Sequence, residues 1–286
     1  MNLKSVEHAW RLGALSCLAV SLLTTLSVEV HARDYEKVKK LSKTKDCSFC
    51  DLRYLDLNNA DYSNVCFKGG YLFGINFENT RLIKADFESA ALYNANLKRV
   101  DLSHANLSKA KLQLSNLSEA TLIEAYMVNA ELGGAVLNGA DLSGANARTS
   151  MFYDVYMPDA FAIKANFSEA DMRRVNARKA NFTDATLSYV TMGQAELSEA
   201  VFLRTKAFRI NLTDANLGGT TMRYSNFAFA RFRGANLVNA IMDGNNLENA
   251  DFTDANLLGA TMTNNSIRGA NFCRAVMPDG ETGACP

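Results

Sequence analysis

Ala105-Asn106-Leu107-Ser108-Lys109 and Ala140-Asp141-Leu142-Ser143-Gly144 are two clean copies of one five-residue unit. Stepping by five from Leu52 gives Leu57, Tyr62, Phe67, Leu72 and Phe77, and the register runs on to Phe272 and Met277 without an insertion or deletion. The stretch from Cys50 to Asp279 therefore holds forty-six cycles. Every central residue is Leu, Phe, Met, Ile, Tyr or Ala, and the residue two before it is small or β-branched in almost every cycle. The residue just before the centre is commonly Asp or Asn, and the two after it vary freely.

A period of five suits neither an α-helix, which repeats at 3.6, nor a strand, which repeats at 2.0. On a helix, residues five apart sit about 140° apart, so the apolar set would be smeared around the surface. Continuous turning suits it better: each unit makes one side and one corner, with two residues facing in. Successive turns of such a chain stack by backbone bonds about 4.8 Å apart. Repetition alone favours a β-solenoid and leaves the number of sides open.

The stretch resembles the pentapeptide-repeat family, whose consensus reads Ala-(Asp/Asn)-Leu-x-x. That resemblance implies an all-β fold: a right-handed quadrilateral parallel β-helix, four units to the coil, about 55 Å long at that rise. Lys43-Thr-Lys-Asp-Cys-Ser-Phe-Cys-Asp-Leu52 and Val276-Met-Pro-Asp-Gly280 are similar to the start and close of exported cyanobacterial members and their chloroplast-lumen relatives. The resemblance implies a periplasmic or thylakoid-lumen protein.

The ends read differently. Lys4 and Arg11 precede an apolar run over 12–28, and Val30-His31-Ala32 closes it with small residues. Residues 1–32 are expected to be a signal peptide cut after Ala32. A retained membrane anchor is the alternative, but Ser and Thr interrupt a run already short for spanning. Residues 33–49 are expected to form an N-terminal cap. Over 33–46 six basic face three acidic residues, and Tyr35, Val38 and Leu41 recur at helical spacing, predicting a short capping helix over the first coil. Residues 50–279 are the repeat and 280–286 a tail.

On a four-sided coil, residue 46 lies below residue 66, which makes Cys47 and Cys66 neighbours and leaves Cys50 free. Cys273 and Cys285 are placed to staple the tail. Either bond would fasten a fraying end in an oxidising compartment. A Cys47–Cys50 pairing stays open, and Cys47-x-x-Cys50 also carries a redox or zinc reading, weakened by the lack of a second metal pair.

Centres are mostly Leu early and include Met127, Met157, Met172 and Met192 later, with small ones at Ala147, Ala162, Ala177 and Ala207. Thr205, Ser225, Asn245 and Asn265 stand at inward positions twenty apart. On a four-sided coil they stack, and Asn245 and Asn265 form a structural ladder if their amides meet each other or backbone carbonyls. No cofactor channel is expected in a core this narrow.

Outward positions are mostly polar and mixed in sign. Met151, Tyr153, Tyr156, Pro158, Phe161 and Ile163 are the exception: outward slots that make an apolar girdle on two or three faces. Such a girdle suggests contact with a protein, against the alternative of a merely greasy coil. Tyr71, Phe73 and Tyr93 make a second patch, with Phe73 and Tyr93 one coil apart. Basic residues gather at Arg173, Arg174, Arg178 and Lys179, and at Arg204, Lys206 and Arg209, but acids dilute them and nucleic acid is not expected.

Some family members mimic DNA and bind topoisomerases. Residues 47–286 carry 22 basic and 25 acidic side chains, far short of duplex charge, which makes that a distant alternative. No Ser-His-Asp set, phosphate loop or cleft-held carboxylate pair points to an enzyme, and Asp101 and Asp141 recur as turn residues. Neither metal nor cofactor is expected. The expectation is an exported rigid solenoid acting as a protein-binding or scaffolding surface, with a purely structural spacer as alternative. No stable membrane insertion is expected after processing, and the uncovered C-terminal coil predicts a weak end-to-end homodimer.

Overall fold

The computed structural model describes Val38 and residues 44–285. Hydrogen bonding in one unit explains its sequence. Leu107 N–H donates to Tyr126 C=O (2.7 Å) and Lys109 N–H to Val128 C=O (3.0 Å), both in the unit twenty residues on. Asn106 N–H donates back to Ala85 C=O (2.9 Å), and Ala110 N–H closes the local turn on Leu107 C=O (3.0 Å). One donor remains, the N–H of Ser108, and the Asn106 side-chain oxygen takes it at 3.1 Å. Every N–H of the unit thus has a partner, as a closely stacked backbone requires. Asp or Asn recurs before the centre because a short acceptor there reaches the N–H two residues on. Asp61 to Ser63, Asp101 to Ser103 and Asn181 to Thr183 repeat the contact.

The same register holds from Asp46 to Val276. Parallel bridges join residues twenty apart, as in Asp46–Cys66, Asn106–Tyr126 and Asn256–Val276. Four units therefore make one twenty-residue tier. The second corner residue of each unit from Tyr54 to Arg274 has a left-handed φ, for example 56° at Lys109 and 57° at Asp154, as the second central residue of a type II turn requires. Two residues per unit point inward, the centre and the small residue two before it, and nearly all are buried. Small side chains at the second position leave room for the larger centres packed beside them in one core. Rings one tier apart stack, as in Phe232–Phe252 (4.6 Å, 3°), whereas Phe152 meets Phe167 edge-on at 5.4 Å. Small centres sit beside large ones: Ala147, Ala162 and Ala207 precede Phe167, Phe182 and Phe227 by one tier.

Two strands break the monotony, β1 (Val201–Leu203) and β2 (Thr221–Arg223), paired in parallel. They occur where the inward column turns polar. Thr205 N–H donates to Ser225 Oγ (2.8 Å), Ser225 N–H to Asn245 Oδ1 (2.9 Å) and Asn245 N–H to Asn265 Oδ1 (2.7 Å). Those are the N–H groups that elsewhere close the turn. The carbonyls left over are taken by the same column: Ser225 Oγ donates to Phe202 C=O (2.7 Å), Asn245 Nδ2 to Met222 C=O (2.6 Å) and Asn265 Nδ2 to Met242 C=O (2.5 Å). Freed of the turn bond, residues 201–203 and 221–223 extend far enough to count as strands.

These elements correct the expected fold class. Among the described residues the secondary structure is one open, two-stranded sheet, with single-residue bridges and turns elsewhere, rather than an all-β, closed right-handed β-helix. A five-residue unit that gives two residues to its corner, a third to closing it and a fourth to the inward centre leaves one bridging residue, which is too few for a ladder. The rigid solenoid expected as the basis of function loses its support with that class. Among the described residues no capping helix is seen either: of the 33–46 segment only Val38 and Thr44 are described with helical backbone before the first bridge at Asp46. The signal peptide over 1–32 and most of the cap over 33–49 lie outside the described residues.

Candidate functional site

Outward side chains come from the bridge position and the two corner positions of each unit. Met151, Tyr156 and Phe161 hold bridge positions in three successive units and are 47%, 48% and 48% exposed. The three side chains thus stand on three successive units of one tier. Polar or small neighbours bound the band: Glu131 and Asp171 flank Met151, Val136 and Asn176 flank Tyr156, and Asp141 and Asn181 flank Phe161.

The corner residues of this tier, Tyr153, Pro158 and Ile163, are half-buried, and their carbonyls accept from Gly134, Gly139 and Gly144 at 3.1, 2.9 and 2.8 Å. The tier before the girdle thus has three glycine corners, all left-handed (φ 69°, 64° and 71°). Side chains lean into those notches. A Cβ at Gly134 would lie 2.9 Å from Leu114 Cδ2, and one at Gly144 3.1 Å from Glu124 Cγ. Tyr153 leans the other way and lies across Gly133, where a Cβ would come within 2.6 Å of its Cε2. Of the six girdle residues, then, three are exposed and three half-buried.

In the second patch Tyr71 is exposed, while the half-buried Phe73 meets the exposed Tyr54 edge-on (5.2 Å, 80°), and Tyr54 itself lies over Gly74. Tyr93 is half-buried, and its carbonyl accepts Gly74 N–H at 2.9 Å. Sequence reading missed Tyr54 because its ring partner stands nineteen residues on, outside the twenty-residue column.

The first basic cluster is neutralised, and so is Arg204 of the second. Arg174 donates to both Asp154 oxygens (2.7 and 2.6 Å), Arg204 to both of Asp184 (2.7 and 2.7 Å), and Arg173 to Asp171 (2.8 and 2.6 Å). Arg178 and Lys179 share Glu199. Hydrogen bonds from these arginines hold the carboxyls of Asp154, Asp184 and Asp171 below their ordinary range.

Cys47 bonds to Cys50 and Cys273 to Cys285, while Cys66 is a free thiol. The expected Cys47–Cys66 pairing is thereby corrected. Adjacent residues of an extended segment point to opposite faces. Cys47 is buried inward, whereas Cys66, stacked over Asp46, turns outward with Sγ 3.1 Å from Ser48 Oγ. Among the described residues no group of three or more His, Cys, Asp or Glu side chains is placed to hold a metal ion, and no helix is long and apolar enough to cross a membrane. At the far end Ile267, a centre by register, is 50% exposed, and no further tier lies over it among the described residues.

A second aromatic group escaped the sequence reading. Tyr189, Phe208 and Phe229 meet edge-on in series, with Arg209 beside the last two. The signal was the twenty-residue column 189–209–229, visible once tiers of four units are drawn.

The Pentapeptide repeats family model matches eight copies, in segments 71–108, 80–118, 115–150, 165–202, 210–244 and 246–277. The chain belongs to this family. Pentapeptide repeat proteins are a non-catalytic, scaffold and protein-binding family, and this chain is not an enzyme. None of the curated proteins matches the chain. Among solved structures it is similar to HetL, a pentapeptide repeat protein involved in heterocyst differentiation regulation from the cyanobacterium Nostoc sp. strain PCC 7120. The identity is 23% and the TM-score 0.48, covering 86% of this chain and 98% of HetL. Rfr23 from the cyanobacterium Cyanothece 51142 is 23% identical with a TM-score of 0.39, covering 44% of this chain and 97% of its own. A pentapeptide repeat protein of the Arabidopsis thaliana thylakoid lumen is 33% identical with a TM-score of 0.33, covering 34% of this chain and 67% of its own.

Proposed function

We propose that this pentapeptide repeat protein binds a protein partner through the girdle of Met151, Tyr156 and Phe161. The observation that supports the reading is the step in the surface: three half-exposed apolar side chains stand on three successive units of one tier, next to a tier with glycine corners at 134, 139 and 144. A partner spanning those three units would cover all three apolar side chains. Large apolar and aromatic side chains gathered in one band are what distinguishes the centre of a protein interface from ordinary surface. Nucleic acid is disfavoured as the partner, since Arg174, Arg173 and Arg204 are already engaged with Asp154, Asp171 and Asp184.

The protein acts in an oxidising compartment, periplasm or thylakoid lumen. The signal-like residues 1–32 and the two disulfides that tie the two ends support this. Exposed Ile267, with Met262 and Phe272 only partly buried beside it, supports weak end-to-end self-association through the last tier.

Affinity isolation of the tagged full chain from its native compartment, compared with a Tyr156→Ser/Phe161→Ser variant, tests the reading. One partner retained by the parent chain and lost by a variant with an unchanged melting temperature is expected. Equal recovery by both chains overturns it.

A further inference from the structure

Most outward arginines in the second half of the chain are tied to a carboxylate, whether Asp154, Asp184, Glu199, Asp243 or Asp254. Arg209 and Lys206 are among the exceptions. Neither has an ion pair among the described residues, and Arg209 lies instead 5.5 Å from the centroid of Phe208 and 5.4 Å from that of Phe229. Tyr189 extends the row, with its ring 5.6 Å from Phe208 at 76°, and Phe208 stands 5.6 Å from Phe229 at 71°. Tyr189 and Phe229 are exposed, and Phe208 is half-buried between them.

Three consecutive tiers thus place an aromatic row and a guanidinium at one corner. The bridge column beside it runs Thr186, Lys206, Asn226, so no acid flanks the Lys206 ammonium there. Glu248, two tiers beyond Phe208 in the same corner column, is already bound by Arg268 (3.3 Å) and Ser266 (3.1 Å).

We propose that Tyr189, Phe208, Arg209 and Phe229, with Lys206 beside them, form a docking surface for an acidic protein segment that carries an apolar side chain. The rings offer apolar contact at fixed spacing, and the two unpaired cations select carboxylates and disfavour basic segments. A guanidinium already held against two rings loses little freedom when a carboxylate arrives. This surface is separate from the girdle.

The test displays random nine-residue peptides against the immobilised full chain and measures the selected peptides by fluorescence anisotropy. Acidic peptides with at least one large apolar residue are expected. Arg209→Glu or Lys206→Glu should weaken them tenfold or more and Phe229→Ala several-fold, while Tyr156→Ser/Phe161→Ser leaves them unchanged. Both charge variants lie on the surface, and thermal melts confirm that each is folded. Selected peptides without acidic excess, binding indifferent to both charge variants, or a selection that yields no binder overturns the proposal.

Discussion

The backbone N–H of Ser225 donates to Oδ1 of Asn245, twenty residues on and 2.9 Å away. In nearly all units outside this polar column the equivalent N–H closes its own turn, as Ala110 does on Leu107. Asn245 therefore acts as a linker between tiers, and its Nδ2 returns to the Met222 carbonyl that the turn would have used.

Replacing Asn245 separates these roles. In Asn245→Ala, Ser225 N–H and Met222 C=O are left facing each other and re-form the ordinary turn bond, so the loss is small, about 1–2 kcal/mol. Asn245→Asp keeps the acceptor but removes the donor and sets a buried carboxyl against the Met222 carbonyl, a loss of about 3 kcal/mol or more. Urea denaturation midpoints should rank parent, Ala, Asp; an Asp variant as stable as the parent would contradict these roles for the column.

Gly133 and Tyr153 are coupled across tiers. A methyl group at Gly133 meets the Tyr153 ring, so Gly133→Ala should drive the ring into solvent and raise its rate of iodination. The coupling in a double-mutant cycle with Tyr153→Ala should be about 0.5–3 kcal/mol. Additive effects would show that the ring does not rest on the glycine.

Carboxyls held by arginine set the acid response. Asp154, Asp184 and Asp254 have folded-state pKa values below the ordinary 3.8, first through hydrogen bonds from Arg174, Arg204 and Arg274. A depressed folded-state pKa contributes stability that is present above the unfolded pKa and lost as pH falls through the folded one. Carbon-detected NMR titration should therefore give midpoints under 3.8 for these three, and Arg174→Gln should move Asp154 back up. Because the pairs are exposed, added salt should weaken them.

The two disulfides differ in reach. Cys273–Cys285 closes a separation of 12 residues and Cys47–Cys50 one of 3, so the first constrains the unfolded chain more. In Cys285→Ser the amides of Met277 and Gly283, bonded to Glu281 and Ala275, should lose hydrogen-exchange protection, while Leu257 keeps its own. Loss of protection throughout the chain would mean that the tail holds the tiers together.

The unit was legible from its spacing, since Leu107 and Ala105 recur as inward residues and Asn106 as the acceptor of a corner N–H. Strand content was not legible: a period of five states how often the chain turns, but the backbone bonds decide how many residues pair between turns. The girdle was readable as outward slots at Met151, Tyr156 and Phe161. Its relief was not, because Tyr153 packs down only through the absence of a side chain at Gly133, one tier away. The Cys47–Cys66 expectation failed on side-chain direction, which stacking of Cys66 over Asp46 alone does not specify. The Tyr189–Phe208–Phe229 row needed contacts between neighbouring columns as well as within one.

Photocrosslinking tests the central claim most directly. Photoreactive groups at Tyr156 and Phe161, with Ser103 as control, are activated in the native compartment and the adducts identified by mass spectrometry. The predicted result is one dominant protein adduct shared by the two girdle sites and missing at Ser103. Background labelling alone at all three positions would contradict a partner-binding girdle.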